Sequence, residues 1–105
     1  MGFFNWSETN REVSRFARTL AQDLAKRYPP AMDNSGAKRV SANRLTKILE
    51  EIYAKARQFH EENSLGMYRK AKLGNTFRWE LQEMGYTKEF VELATEGLIV
   101  YLTRR

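Results

Sequence analysis

The sequence predicts an all-α protein, a small compact bundle of four or five helices that forms a single domain over residues 1–105. Apolar residues recur at spacings of three and four along most of the chain, as they do on the buried side of an amphipathic helix. The clearest interruption is PPAMDNSGAK at residues 29–38, whose prolines, glycine and small polar residues are typical of a loop. The hydrophobic content of 42% in 105 residues suits one modest core.

The first helix is predicted from about Thr9 to Tyr28. Thr9 and Glu12 have the spacing of a capping box, in which each side chain accepts a hydrogen bond from the other's free backbone N–H. Pro29 ends the helix because it has no N–H to donate and disfavours helical geometry in the residue before it. The predicted buried side is Val13, Phe16, Ala17, Leu20, Leu24 and Tyr28.

The second helix is predicted over residues 41–63, with Ser41 as its N-cap. Val40 before the cap and Leu45 after it have the spacing of a hydrophobic staple. The opposite side mixes acidic and basic residues, which is typical of a solvated surface. The predicted buried side is Leu45, Ile48, Leu49, Ile52, Ala56 and Phe59.

The third helix lies in MYRKAKLGNTFRWELQEMGY, residues 67–86, and allows two interpretations. If it is continuous, one outward side combines Tyr68, Lys72, Asn75 and Trp79. Such a surface suits either stacking on bases or a protein contact. If the helix breaks near residues 73–75, Tyr68 becomes buried and each half has its own apolar side. We predict the break, because glycine costs about 1 kcal/mol inside a helix relative to alanine and Asn75 can cap a new helix.

The fourth helix is predicted to start near Thr87. The run LIVYL after Gly97 also suits a strand, but a lone strand has no obvious partner, so a helix is predicted over residues 97–102. The predicted buried side is Phe90, Ala94, Gly97, Leu98 and Tyr101. The opposite side carries Glu89, Glu92, Thr95 and Glu96.

Motifs for catalysis or metal binding are absent from the sequence. There is no cysteine, and the one histidine, His60, is followed four residues later by Ser64 where a zinc-binding HExxH motif needs a second histidine. No glycine-rich phosphate loop and no GxSxG motif occurs. We therefore expect a protein that is not an enzyme and has no metal, cofactor or small-molecule substrate.

A cytoplasmic location without membrane contact is also expected. No segment is long and apolar enough to cross a bilayer, and the start MGFFNWSE has too short an apolar run for a signal peptide. A chain without cysteine fits a reducing compartment.

Basic residues form three clusters that are candidate contacts for an anion or a nucleic acid. The net charge of +5 favours acidic partners in general. In the first helix, the basic residues recur at helical spacing on the side opposite the apolar residues. The candidates are Arg11, Arg15, Arg18 and Lys26 in the first helix, Lys38, Arg39, Arg44 and Lys47 around the start of the second, and Arg69, Lys70, Lys72 and Arg78 in the third.

Each cluster has an alternative explanation. Like charges three or four residues apart destabilise a helix by about 0.2–0.5 kcal/mol per pair, so keeping them indicates an anionic partner. Alternatively, acidic residues from another part of the fold lie alongside the first helix, and Glu89, Glu92 and Glu96 of the last helix are candidates. Lys38 and Arg39 precede a helix N-terminus, where backbone N–H groups favour phosphate, or they belong to a flexible basic loop.

Two functions follow as hypotheses. The first is a regulatory or adaptor-like interaction module that binds a protein partner, or a second copy of itself, through apolar and aromatic helix surfaces. Its candidate contact residues are Trp79, Ile99 and Val100. The alternative is a basic nucleic-acid-binding domain that uses the first-helix cluster together with the cluster at residues 38–47.

Overall fold

The computed structural model describes residues 6–34 and 41–104, with side chains from residue 10 onward, and this part of the chain forms five helices and no strand. The all-α fold class is therefore confirmed, as is a helix over residues 97–102. The helices are α1 (Trp6–Arg27), α2 (Pro30–Asn34), α3 (Ala42–Asn63), α4 (Met67–Met84) and α5 (Lys88–Thr103).

The four long helices pack in the circular order α1, α3, α5, α4 around one core. α1 contacts α3 and α4, and α5 contacts the same two helices from the other side. The edge between α1 and α3 is therefore on the opposite side of the bundle from the edge between α4 and α5. Fully buried side chains at the centre include Leu20, Leu24, Ile52, Leu73, Phe77, Leu81, Leu98 and Leu102.

Two helix starts are confirmed at the residues that the sequence indicates. The Ser41 hydroxyl accepts a hydrogen bond from the Arg44 backbone N–H at 3.2 Å, and the Thr87 hydroxyl accepts one from the Phe90 N–H at 3.2 Å. Each cap satisfies one of the backbone donors that a helix N-terminus leaves free. Val40, the other half of the proposed staple, lies outside the described residues.

The predicted start of the first helix is wrong. α1 begins at Trp6, so Thr9 lies inside the helix and is not its cap. A threonine followed three residues later by a glutamate also occurs within helices, because threonine costs only a fraction of a kcal/mol there. The predicted end is confirmed, since α1 stops at Arg27, just before Tyr28 and Pro29.

The predicted break in the third helix is also wrong. α4 runs without interruption from Met67 to Met84. Gly74 is buried in it, and a Cβ added there would lie 2.6 Å from Ile99 Cδ1 of α5. The glycine therefore allows α4 and α5 to approach closely and does not form a turn. Tyr68, which the break would have buried, is 57% exposed.

Tyr53 joins α3 to α5 at the centre of their contact. Its hydroxyl donates a hydrogen bond to the Ala94 carbonyl at 2.8 Å, and its ring centroid lies 5.0 Å from that of Tyr101. Gly97 makes room for this ring, because a Cβ there would lie 2.3 Å from the Tyr53 hydroxyl oxygen. Burial, reinforced by the neighbouring Tyr101, raises the pKa of Tyr53 above its ordinary value of 10, so the hydroxyl remains a donor.

The stretch predicted as a loop contains the short helix α2, which ties the end of α1 to the start of α5. The Asp33 carboxylate accepts a hydrogen bond from the Tyr28 hydroxyl at 3.1 Å and another from the Thr87 backbone N–H at 2.7 Å. The Tyr86 hydroxyl in turn donates to the Tyr28 carbonyl. These bonds close one end of the bundle.

His60, near the end of α3, is expected to make stability depend on pH. Partial burial, followed by the nearby charges of Lys70 and Arg57, lowers the pKa of His60 below 6.5, and its Nδ1 has no hydrogen-bond partner among the described residues. In the unfolded chain this histidine has a pKa of about 6.5, so the unfolded state binds the proton more readily. Its contribution to stability is complete above pH 6.5 and is lost as the pH falls towards the folded pKa.

We therefore expect the denaturation midpoint to fall as the pH drops below about 6.5. His60→Gln should remove that part of the pH dependence, which urea titrations at a series of pH values measure. Ala54→Gln, at an exposed position on the same helix, is the control, because it changes no titratable group and should leave the dependence unchanged. An identical pH profile for the wild type and His60→Gln would contradict the assignment.

Candidate interaction surfaces

The basic residues on the outer side of α1 are exposed, as the sequence predicts. Arg11, Arg15 and Lys26 have no ion pair among the described residues, whereas Arg18 Nε lies 3.3 Å from the Glu80 carboxylate of α4. The candidate acids of the last helix do not lie alongside this cluster, because α5 lies diagonally across the bundle from α1. Within the described part of the chain, an acid from another helix neutralises Arg18 alone of these four residues, through Glu80 of α4.

The end of α1 and the start of α3 form a basic groove. This α1–α3 groove encloses about 470 Å³ and is lined by Lys26, Arg27, Arg44, Lys47, Ile48 and Glu51. Across it, the Arg27 guanidinium lies 2.5 Å from the Glu51 carboxylate. The other three basic residues have no ion pair in the described part of the chain, so positive charge dominates the groove. Two further candidates, Lys38 and Arg39, lie outside the described residues.

The four basic candidates of α4 do not extend this groove. Arg69 and Lys70 are only partly exposed, and two guanidinium nitrogens of Arg69 are buried. Arg78 forms an ion pair with Glu92 of α5. Neither these residues nor Lys72 line the α1–α3 groove. The structure therefore brings Lys26 of α1 together with Arg44 and Lys47 of α3, while Arg11, Arg15 and Arg18 lie farther along α1 and the α4 candidates lie outside the groove.

A second groove lies on the opposite edge of the bundle, between α4 and α5. This α4–α5 groove encloses about 580 Å³. It is lined by Ala71, Gly74, Asn75, Arg78, Glu92, Thr95, Glu96, Ile99 and Val100. The Arg78–Glu92 ion pair spans it, whereas the exposed Glu96 has no ion pair among the described residues. The groove therefore combines an apolar lining with one unneutralised carboxylate.

Two of the three candidate protein-contact residues line the α4–α5 groove, and the third lies beside it. Ile99 and Val100 line it, and Val100 is 49% exposed. Trp79 is 56% exposed on the outer side of α4, one helical turn from Asn75 on the groove wall. An exposed tryptophan beside an apolar groove is typical of a protein-contact surface.

Sequence reasoning missed several lining residues of both grooves. Arg27 and Glu51 were not expected in the basic groove, and Ala71 and Glu96 were not expected in the apolar one. The spacing of four from Glu96 to Val100 was an available signal, because residues four apart share one side of a helix. No spacing in the sequence indicates how α4 and α5 are aligned, because their alignment depends on the contact between Gly74 and Ile99, which lie on different helices.

Neither a metal-binding cluster nor a membrane-crossing helix occurs in the described part of the chain. No group of three or more histidine, cysteine or acidic residues is positioned to hold a metal ion there. Nor does any helix in residues 6–34 and 41–104 combine the length and apolarity that a membrane crossing needs.

Comparison with known proteins found no matching family model, no matching curated protein and no matching solved structure. The class of protein is therefore defined by the fold and the two surfaces. It is a small all-α bundle with a basic groove on one edge and a largely apolar groove on the opposite edge.

Proposed function

We propose that this protein is a non-enzymatic, adaptor-like interaction module that binds a protein partner through the α4–α5 groove. The observation that carries the proposal is the apolar wall that the partly buried Ile99 and the exposed Val100 form in that groove, together with Ala71. We propose a cytoplasmic setting, because a chain without cysteine needs no oxidising compartment to fold.

The chemistry of the groove favours a basic amphipathic helix as the occupant. A volume of about 580 Å³ between two helices accommodates the anchoring side chains of a third helix. Apolar anchors fit against Ile99 and Val100, while a lysine or arginine of the partner fits beside Glu96. Arg78 does not favour an acidic partner, because its guanidinium is already neutralised by the carboxylate of Glu92.

The same charges disfavour symmetric self-association through this groove. In a twofold dimer, the same surface of each copy faces the other. Such a dimer would bring Glu96 of both copies into one interface, and the one cation that lines the groove among the described residues, Arg78, is already paired with Glu92. A different protein with a basic helix is therefore the better partner.

Selection from a library of surface-randomised helical peptides tests this proposal. We expect enrichment of apolar residues at helical spacing together with lysine or arginine. The affinity of an enriched peptide, measured by fluorescence anisotropy, should fall at least about tenfold in Val100→Gln, because a central apolar anchor is lost.

Leu93→Gln is the matched control for this experiment. Leu93 lies on the same helix and is 56% exposed, similar to Val100 at 49%, but it lines no part of the α4–α5 groove. Its substitution should leave the affinity unchanged. An equal loss in both variants, enrichment of acidic peptides, or no enrichment would each overturn the proposal. A mass that rises with protein concentration in light scattering would favour self-association instead.

A further inference from the structure

We propose that the α1–α3 groove and the basic side of α1 form a second binding site, which takes the phosphate backbone of double-stranded nucleic acid. This inference goes beyond the protein-binding role and is independent of it, because it concerns the opposite edge of the bundle.

The groove has the local chemistry of a phosphate site. Lys26, Arg44 and Lys47 converge on it from two helices, so a phosphate in the groove is within reach of several cations at once. None of the three is neutralised by an ion pair among the described residues. Charge-assisted hydrogen bonds from lysine and arginine to phosphate oxygens are roughly twice as strong as neutral ones. The only carboxylate in the lining, that of Glu51, is held by Arg27.

The basic surface is longer than a single small anion. It continues from the groove along α1 through Arg15 to Arg11, both exposed. From residue 11 to residue 26 the helix rises roughly 22 Å, with a basic residue at almost every turn. On each strand, duplex DNA presents one phosphate for about every 3.4 Å of helix axis, so a surface of this length contacts several phosphates. A polyphosphate backbone therefore fits better than a free phosphate ion.

The surface favours a duplex over a single strand. Proteins that bind single strands stack the bases on exposed aromatic rings. The aromatic rings beside the α1 surface, Phe16 and Phe59, are instead stacked on each other with their centroids 4.1 Å apart. Tyr68 and Trp79, the exposed aromatic rings of α4, lie outside the α1–α3 groove. Contacts from cations alone go to phosphates, which gives binding that does not depend on sequence.

Salt-dependent binding to duplex DNA tests the assignment. The full chain is titrated into a fluorescein-labelled duplex of random sequence, a single strand of the same length, and poly-glutamate. Five cations on phosphates give a log–log slope of affinity against salt of about −4.5. The triple variant Lys26→Gln, Arg44→Gln, Lys47→Gln should weaken duplex binding at least about tenfold and make the slope shallower by about 3.

The control removes the same charge elsewhere. The control is a triple variant with the same net charge, made of Lys70→Gln, Lys88→Gln and Arg104→Gln. Its three positions lie on α4, on α5 and just after α5, away from the α1–α3 groove. This variant should keep nearly the wild-type affinity and slope. Circular dichroism confirms that both variants are folded.

Each alternative result overturns the proposal. Equal losses in the two triple variants would show that net charge alone drives binding. Tighter binding to the single strand would exclude the duplex as the preferred ligand, and equal binding to poly-glutamate would indicate an acidic protein. No binding of the duplex at low salt would remove the site altogether. None of these results bears on the α4–α5 groove, so the two proposals fail or succeed separately.

Discussion

Gly97→Ala is expected to destabilise the protein by about 3 kcal/mol, the combined effect of overpacking a core and disturbing a buried hydrogen bond. An added Cβ would lie 2.3 Å from the Tyr53 hydroxyl oxygen and 2.6 Å from Cζ of the same ring. The ring cannot simply move aside, because its hydroxyl is bonded to the Ala94 carbonyl and Tyr101 packs against it. The better helix propensity of alanine offsets only about 1 kcal/mol of this cost.

Two other glycines are the controls for this substitution. At Gly66, the N-cap of α4, no atom lies within 4 Å of the position that an added Cβ would take, so Gly66→Ala should cost only the difference between glycine and alanine as N-caps, about 1 kcal/mol or less. At Gly74 the obstruction is the end of the flexible Ile99 side chain, at 2.6 Å, which rotates more easily than a buried ring. Urea denaturation should therefore show a larger cost at Gly97 than at either Gly74 or Gly66. A Gly97→Ala variant as stable as Gly66→Ala would contradict the packing argument.

The same glycines show why the third helix was predicted incorrectly. From the sequence, glycine inside a helical pattern signals either a turn or a place where another element comes close. The residues around position 74 do not distinguish these two possibilities, because the atom that approaches the glycine belongs to Ile99, on another helix. The starts of α3 and α5 were predictable because a cap and the N–H that it binds are only three residues apart.

The candidate surfaces, too, were predictable only in part. Exposure of Arg11, Arg15 and Lys26 followed from the periodicity of α1 alone. The meeting of Lys26 with Arg44 and Lys47 depends on how α1 and α3 are aligned, which contacts such as the Phe16–Phe59 stack establish. Ile99 and Val100 stood out as apolar residues near the acidic side of a helix, but the groove beside them exists only once α4 packs there.

α2 escaped prediction because its stabilising contacts are also distant in sequence. A helix of five residues is too short for an apolar period to be visible, and isolated helices of this length are not stable in water. Asp33 binds the Thr87 N–H, 54 residues away, and Asn34 donates to the Gly85 carbonyl at 3.1 Å. A loop was the natural prediction for residues whose partners lie in another part of the chain.

Asp33→Ala is accordingly expected to destabilise the protein by about 2–3 kcal/mol, although Asp33 lies in a short surface helix. The change removes the acceptor for the Tyr28 hydroxyl and for the Thr87 N–H, and both groups are buried or partly buried. Hydrogen bonds to a carboxylate contribute about 1.5–3 kcal/mol, and a buried donor left without a partner adds its desolvation cost. Asp33→Asn should be milder, because the amide oxygen still accepts from Thr87 and its NH₂ group can donate to the tyrosine oxygen.

Asp23→Ala makes the same substitution at an aspartate with a different role. Asp23 forms an ion pair with Lys55 across α1 and α3, and the lysine side chain is 55% exposed. Such pairs contribute about 0–1 kcal/mol, so Asp23→Ala should lower the free energy of unfolding by less than half as much as Asp33→Ala. Urea denaturation of the three variants measures the order. Equal effects of Asp23→Ala and Asp33→Ala would show that α2 is not a structural tie between α1 and α5, because only Asp33 of these two aspartates connects the end of α1 to the start of α5.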